Sequence, residues 1–362
     1  MTMAEVDRAW VATRKGLFEL RCRAGQWQIE RVSFLGEPVT MLLPPEAGSS
    51  RMLASLTTGH YGTKLHASDD AGRTWTEVAT PAYPPQPEGA EGPPWKLVLV
   101  WALEQARGTV WAGTIPGGLF RSDDFGRSWQ LVETLWQRKE RLGWFGGGYD
   151  APGIHSICPH PVRAGELLLG ISCGGAWTTR DDGATWALTA QGMRANFMPP
   201  EMAGDPNIQD AHRVVRCAAA PDTLWCQHHG GIWRSTDAAA SWHEITTAPV
   251  SSFGFAVAVH PGDPDVAWFA PAEADQRRVP VGGAMVVNRT RDGGRSFETL
   301  RAGLPQQYAY DLVYRHGLAV ADDGRHLLMT STTGGLWASA DGGDHWQTLS
   351  LNLPPAVAVR FG

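Results

Sequence analysis

The chain lacks the features that would tie it to a membrane, a nucleic acid or a disulfide scaffold. No apolar stretch reaches bilayer-spanning length, which excludes a membrane helix. No basic run appears and the formal net charge is −6, so nucleic acid is not an expected partner. Cysteine is scarce. Cys22, Cys158, Cys173, Cys217 and Cys226 are odd in number and show no CxxC spacing. A disulfide framework is therefore not expected, and thiols in a reducing compartment fit better. The opening MTMAEVDRAWVATRKG lacks the charged-then-apolar layout of a secretory signal, and the expected location is cytoplasmic.

What the chain has in quantity is punctuation. Glycine (42) and proline (25) break its 362 residues into many short segments, as an all-β protein requires. One eight-residue phrase, Ser/Thr-x-Asp-x-Gly-x-Thr/Ser-Trp, recurs. It reads SDDAGRTW at 68–75, SDDFGRSW at 122–129 and TRDDGATW at 179–186. Weaker copies are STDAAASW at 235–242, TRDGGRSF at 290–297 and SADGGDHW at 339–346. The closing aromatics are Trp75, Trp129, Trp186, Trp242, Phe297 and Trp346, roughly fifty residues apart. A repeat of that period with strand-like flanks means one small sheet per repeat, arranged radially.

The phrase resembles the Asp-box, or bacterial neuraminidase (BNR) repeat. Over nearly its whole length the chain is similar to the Asp-box β-propellers called sialidase-like, glycosyl-hydrolase-like or WD40/YVTN/BNR-like. The resemblance speaks to architecture more than to chemistry, because unrelated functions share the scaffold.

Seven apolar runs read as innermost strands: VTMLL, KLVLVWAL, IHSICPH, HRVVRCAA, FGFAVAVH, YDLVYRH and the terminal AVAVRF. The N-terminal segment around Trp10 to Val32 reads as two strands of a seventh repeat without a box or an inner strand of its own. Closing AVAVRF onto it predicts a single seven-bladed β-propeller over 1–362. Its blade cores are expected at 10–33, 39–80, 96–134, 154–190, 212–246, 253–300 and 308–349, with the closing strand at 356–361. Pairing the two ends removes exposed sheet edges.

The repeated aspartates, Asp70, Asp124, Asp181, Asp237, Asp292 and Asp341, are expected to hold turns rather than to catalyse. A short carboxylate bonds local backbone amides, the Gly permits positive φ, and the aromatic packs between blades. The copy at 235–242 carries Ala239 in place of the Gly, which a turn survives more readily than a catalytic loop. The resemblance places these turns on the face away from the usual active site.

Chemistry is then expected at the other end of the channel. The second-to-third-strand loops offer Arg14, Lys15, His60, Tyr61, Ser172, Cys173, Gln227, His228 and His229. The inner-strand entrances add His155 and His212, with Asp210, Tyr308 and Tyr310 nearby. Insertions at 138–153 and 191–210 read as lids, the first carrying the aromatics Trp144, Phe145 and Tyr149. His155, His212, His228, His229 and Gln227 could hold one divalent metal ion (Mn, Zn, Fe or Ni) through neutral imidazoles. Alternatively His155, His212 and His228 act as acid or base without metal, with Tyr61, Lys15 and Arg14 stabilising an oxyanion and His60, Trp144, Tyr149 and Tyr308 contacting substrate. A third reading makes the histidines channel lining that bonds water and backbone. His160 and His260, in His-Pro pairs, read as structural.

Two functions follow. One is an enzyme acting by hydrolysis or β-elimination on a carbohydrate-like or acidic small substrate. The loose similarity of Gln227–His229 to the His/Gln metal site of some seven-bladed polysaccharide lyases implies this one. The other is a non-catalytic platform for a protein partner. The sequence argues against a true sialidase: ATRKGLF stands where an Arg-Ile-Pro motif would, and no Tyr–Glu pair can be assigned.

Overall fold

In the computed structural model, which describes residues 6–146 and 149–362, the repeats form a ring. Seven four-stranded antiparallel sheets make a seven-bladed β-propeller. Blade two shows the pattern: Val39–Leu43 innermost, then Met52–Thr57, Thr63–Ser68 and Thr76–Val78. The inner strands of blades three to six are Leu99–Ala106, Ile154–Pro159, Ala211–Arg216 and Gly254–Val259. Blade one takes Ala356–Phe361 as its inner strand, antiparallel to Arg8–Thr13 with Val11 opposite Val359.

Two elements differ from the sequence reading. The N-terminal segment supplies three strands rather than two: Arg8–Thr13, Gly16–Arg23 and Gln26–Ser33. The turn at Arg14 and Lys15 separates the first two of these, with Thr13 Oγ1 bonded to both Gly16 O and the Lys15 amide. In blade seven the inner strand is Leu318–Val320, not YDLVYRH. A tight turn, Gly317 N–H to Tyr314 O at 2.7 Å, ends that segment and restarts the pairing beyond it.

The repeat turns carry their hydrogen bonds internally. Asp70 Oδ1 accepts from Ser68 Oγ and the amides of Arg73 and Thr74, while Oδ2 accepts from Thr74 Oγ1. Asp124, Asp181, Asp237 and Asp292 repeat the arrangement, and at Asp341 the ring of His345 replaces the hydroxyl. A carboxylate that accepts so many bonds is stabilised in its charged form. Those bonds hold Asp124 and Asp292 down to about 2. Ala239 adopts φ 68° where the other turns have Gly, and its amide still reaches Ser235 Oγ at 2.9 Å. Asp237→Ala is expected to lower the melting temperature without altering any ligand binding at the channel. A loss of binding in a folded variant would contradict the structural role.

Between blades the packing is aromatic. Trp10, Trp111, Trp177, Trp225, Trp268 and Trp337 are at most 1% exposed. Several indoles bond the next blade or its turn: Trp225 Nε1 donates to Pro264 O at 2.9 Å and Trp268 Nε1 to Gly342 O at 2.8 Å. Trp225 and Trp268 thus bury area and fix the neighbouring turn at once. No helix of the described residues is long and apolar enough to cross a membrane.

Candidate functional site

The inner strands share a defect that positions the site. In six blades the register with the neighbouring strand slips by one residue near one end of the inner strand. The unpaired residues are Val357, Thr40, Trp101, His155, His212 and Phe255, in blades one to six. A bulge re-aims its extra side chain. Their contacts place several of these residues, with Arg315 of blade seven, around the channel mouth. Trp101 meets His155 edge-on at 5.4 Å, and His212 stacks on Phe255 at 4.3 Å. The Arg315 guanidinium lies 4.7 Å from the Trp101 ring and 5.3 Å from Phe255. Those rings belong to blades three and six, on opposite sides, so Arg315 reaches across the channel.

Beside Arg315 stands a carboxylate with two imidazoles. Asp210, in the connection entering blade five, is 3% exposed. Its Oδ2 lies 3.3 Å from His212 Nε2 and 3.4 Å from His229 Nδ1. Oδ1 accepts from the Cys173 amide at 3.3 Å. The Asp210 backbone is pinned too: its carbonyl accepts from His229 N–H and its own N–H donates to His228 Nε2. His212 Nδ1 lies 2.6 Å from Gly254 O. A carbonyl only accepts, so Nδ1 carries the proton and Nε2 presents a lone pair in the neutral ring.

Burial pushes His212 below its ordinary value, favouring that neutral form. Burial alone would raise Asp210, but His212, His229 and Arg315 together hold its carboxyl well below the usual range. In the neutral form of His212 a lone pair would face a carboxylate oxygen. The contacts at 3.3 and 3.4 Å are also longer than the roughly 2.7–2.9 Å of a charge-assisted hydrogen bond. They match instead the edge of about 3.3–3.4 Å that a tetrahedral site with bonds of about 2.0–2.1 Å would have. The ligand atoms of Asp210, His212 and His229 lie within 4.8 Å of one another. The bond from His212 Nδ1 to a backbone carbonyl is the outer-shell partner that metal-binding imidazoles usually have. These three residues fit a divalent transition metal.

The structure brings together only part of the set read from sequence. His212 and His229 converge, and Asp210 replaces the other expected ligands. His228 lies between the Asp210 and Gly230 amides, and burial lowers it to about 3. Gln227 spends its amide nitrogen on the carbonyls of His228, Gly231 and Ser252. His155 bonds Ser156 Oγ through Nδ1, and its buried Nε2 has no partner among the described residues. Burial pushes the Cys173 thiol far up, so it stays protonated.

The expected substrate contacts divide similarly. Trp144 is 5% exposed, packs on Trp177 and donates to Asn207 Oδ1 at 3.0 Å, so it ties the two insertions together. The neighbouring Phe145 reaches the mouth instead, meeting Phe197, which meets His229 at 4.8 Å. Tyr149 packs edge-on against Trp101. Arg14 and Lys15 are exposed on their turn. The His60 and Tyr61 rings meet at a tilt with centroids 4.1 Å apart, and Tyr61 is 72% exposed. Tyr308 is 83% exposed. His160 and His260 cap turns through Nδ1, as expected of structural residues.

The buried imidazoles give the protein a distinctive acid response. Burial holds His155, His212, His228 and His316 below 6.5 in the folded state. Below about pH 6.5 the unfolded chain therefore binds more protons than the folded one. The stability these groups contribute is full above that pH and is lost as pH falls toward their folded values. Melting temperature is expected to decline from about pH 6.5 downwards, before carboxylates titrate. A flat profile to about pH 4.5 would contradict this.

No family model matches the chain, and no curated protein matches it. Solved structures do. A GH74 xyloglucanase from Xanthomonas campestris is 18% identical with a TM-score of 0.67, over 96% of this chain and 53% of the xyloglucanase. The chain thus spans about half of that enzyme's length. YCF48 bound to a D1 peptide is 16% identical with a TM-score of 0.53, over 93% of this chain and 88% of YCF48. A chain of the mitotic checkpoint complex is 12% identical with a TM-score of 0.60, over 92% and 86%. At such identities the likeness is one of fold, shared by carbohydrate-acting and protein-binding propellers.

Proposed function

We propose that the protein is a metal-dependent hydrolase or lyase of the Asp-box propeller class that acts on a small acidic, carbohydrate-like substrate at the upper mouth of the channel. The observation that carries this is the Asp210–His212–His229 geometry, with oxygen–nitrogen separations of 3.3 and 3.4 Å in a buried site. Imidazole with carboxylate suits Mn, Zn, Fe or Ni. When bound, the ion would polarise a substrate oxygen or make a bound water more acidic.

The chain's own groups divide the remaining work. Arg315 has Nε and Nη2 without partners among the described residues and is 6% exposed, so it is suited to grip a substrate carboxylate. The partnerless Nε2 of His155 is suited to take or give a proton, and its depressed pKa keeps it neutral at pH 7. Phe145, Phe197, Phe253 and Phe255 give the mouth an aromatic wall that limits water and suits a sugar face. A cytoplasmic location belongs to this reading, supported by the buried thiols Cys158, Cys173, Cys217 and Cys226, which form no disulfide.

A panel of uronates, lactones, esters and oligosaccharides tests it. Turnover is expected on an acidic member, abolished by chelation. Arg315→Met is expected to raise KM about tenfold or more for charged substrates and to leave a neutral analogue unaffected. No turnover across the panel by metal-loaded protein would sink the enzyme reading. A protein-binding platform is favoured by one observation: Tyr61, Tyr308 and Tyr310 are 72, 83 and 65% exposed. A stoichiometric partner from native lysate, lost on replacing these three tyrosines by serine, would support that alternative.

A further inference from the structure

The opposite end of the channel carries a separate concentration of positive charge. A cavity of about 990 Å³ opens there, and its lining includes Arg213, Arg216, His316 and Arg360. These residues follow from the inner strands. Arg213 and Arg216 lie on Ala211–Arg216, Arg360 on Ala356–Phe361, and His316 joins the latter by a bridge to Ala358. None of the four belongs to the metal-fitting cluster.

Their donors are poorly satisfied. His316 is 5% exposed and neither ring nitrogen has a partner among the described residues. The Arg216 side chain is 4% exposed. Its Nη1 meets Glu166 and Pro221 O, but Nε and Nη2 have no partner among the described residues. Arg360 bonds Glu104 through Nη2, and its Nε has no partner among the described residues. Arg213 sends Nη1 to His155 O at 3.2 Å. Burial first, and then the nearby Arg360, depress Arg213 to about 10.

Most carboxylates at hand are already engaged. Glu166 takes Arg163 at 2.6 Å as well as Arg216, and Glu104 takes Arg360. Asp7 pairs with Arg21, Glu46 with Gln105, and Asp323 with the Arg325 and His326 amides, while Asp322 is exposed. Leaving a charged donor buried and unpaired is unfavourable. Several such donors around one cavity are the mark of a site for an anion.

We infer that the lower end of the channel is a binding site for a phosphate group, free or carried by a small ester, gripped by Arg213, Arg216, Arg360 and His316. Planar guanidinium forks suit a tetrahedral oxyanion, and phosphate brings more acceptor oxygens and more charge than a carboxylate. Val257, Val259, Leu318 and Val320 line the same cavity and offer an apolar wall to the organic part of an ester.

Calorimetric titration of the full-length protein with inorganic phosphate, at ionic strength held constant with chloride, tests this. Saturable binding is expected, with a melting temperature that rises with phosphate concentration. Arg213→Met and Arg360→Met are each expected to weaken binding about tenfold or more, whereas Arg21→Gln, at the rim of this lower cavity, changes it less than about twofold. Tighter binding of a hexose phosphate than of phosphate assigns the cavity to an ester; equal affinity assigns it to the free ion. The wild-type titration decides even where a variant fails to fold. No saturable heat up to about 10 mM phosphate, or equal stabilisation by chloride, would overturn the site.

Discussion

Removal of residues 356–362 abolishes cooperative unfolding of the ring. The strand Ala356–Phe361 is the inner strand of blade one, paired along its length with Arg8–Thr13. Its loss deletes that ladder and uncovers Ala9, Val11, Leu20 and Leu336, which pack with Ala356 and Val359. Several backbone hydrogen bonds at about 1 kcal/mol each, with the apolar area of a buried strand, come to roughly 5–10 kcal/mol. That is comparable to the whole net stability of a typical domain, about 5–15 kcal/mol. The truncated chain would also present Arg8–Thr13 as a bare inner edge, so aggregation should accompany the loss. Calorimetry and light scattering check both. A sharp, reversible transition within a few degrees of the full-length protein would show that the ring does not depend on its closure.

Asp210→Ala should be the most damaging single change at the mouth of the channel. It removes the carboxylate that faces His212 and His229 and partly balances the buried Arg315. Taking one partner from a buried charge arrangement costs about 3–5 kcal/mol, because the other charge stays uncompensated. Asp210→Asn keeps the shape and separates the two consequences. It should restore part of the stability through the Cys173 amide contact, yet still lose the metal, since a neutral amide is a poor ligand beside two imidazoles. Equal metal content in wild type and Asp210→Asn would show that the carboxylate is not a ligand.

The architecture was legible because its signal is repeated. Six copies of the turn phrase stand between short apolar strands, and the unmatched ends, WVAT and AVAVRF, imply their own pairing. Blade seven's inner strand misled because YDLVYRH has the look of a strand while Gly317 sets the turn that moves the pairing to Leu318–Val320. The candidate cluster was legible in part as a placement of residues. His212 and His229 sit at the expected end, but which donor atoms converge depends on a one-residue bulge that hydrophobic alternation does not mark. The bulge aims His212 at Asp210, while His228, one step from His229, turns back to the backbone. Arg315, Arg213, Arg216 and Arg360 carried a usable signal. Each is a charge set within or beside an apolar inner run, where packing alone would place none.

Elemental mass spectrometry on untagged protein, purified without a nickel column, tests the central claim most directly. The account predicts about one equivalent of Mn, Zn, Fe or Ni per chain, lost in the His212→Ala/His229→Ala double variant while the fold persists. Folded wild-type protein that is free of metal, and whose melting temperature ignores added divalent ions, would contradict it.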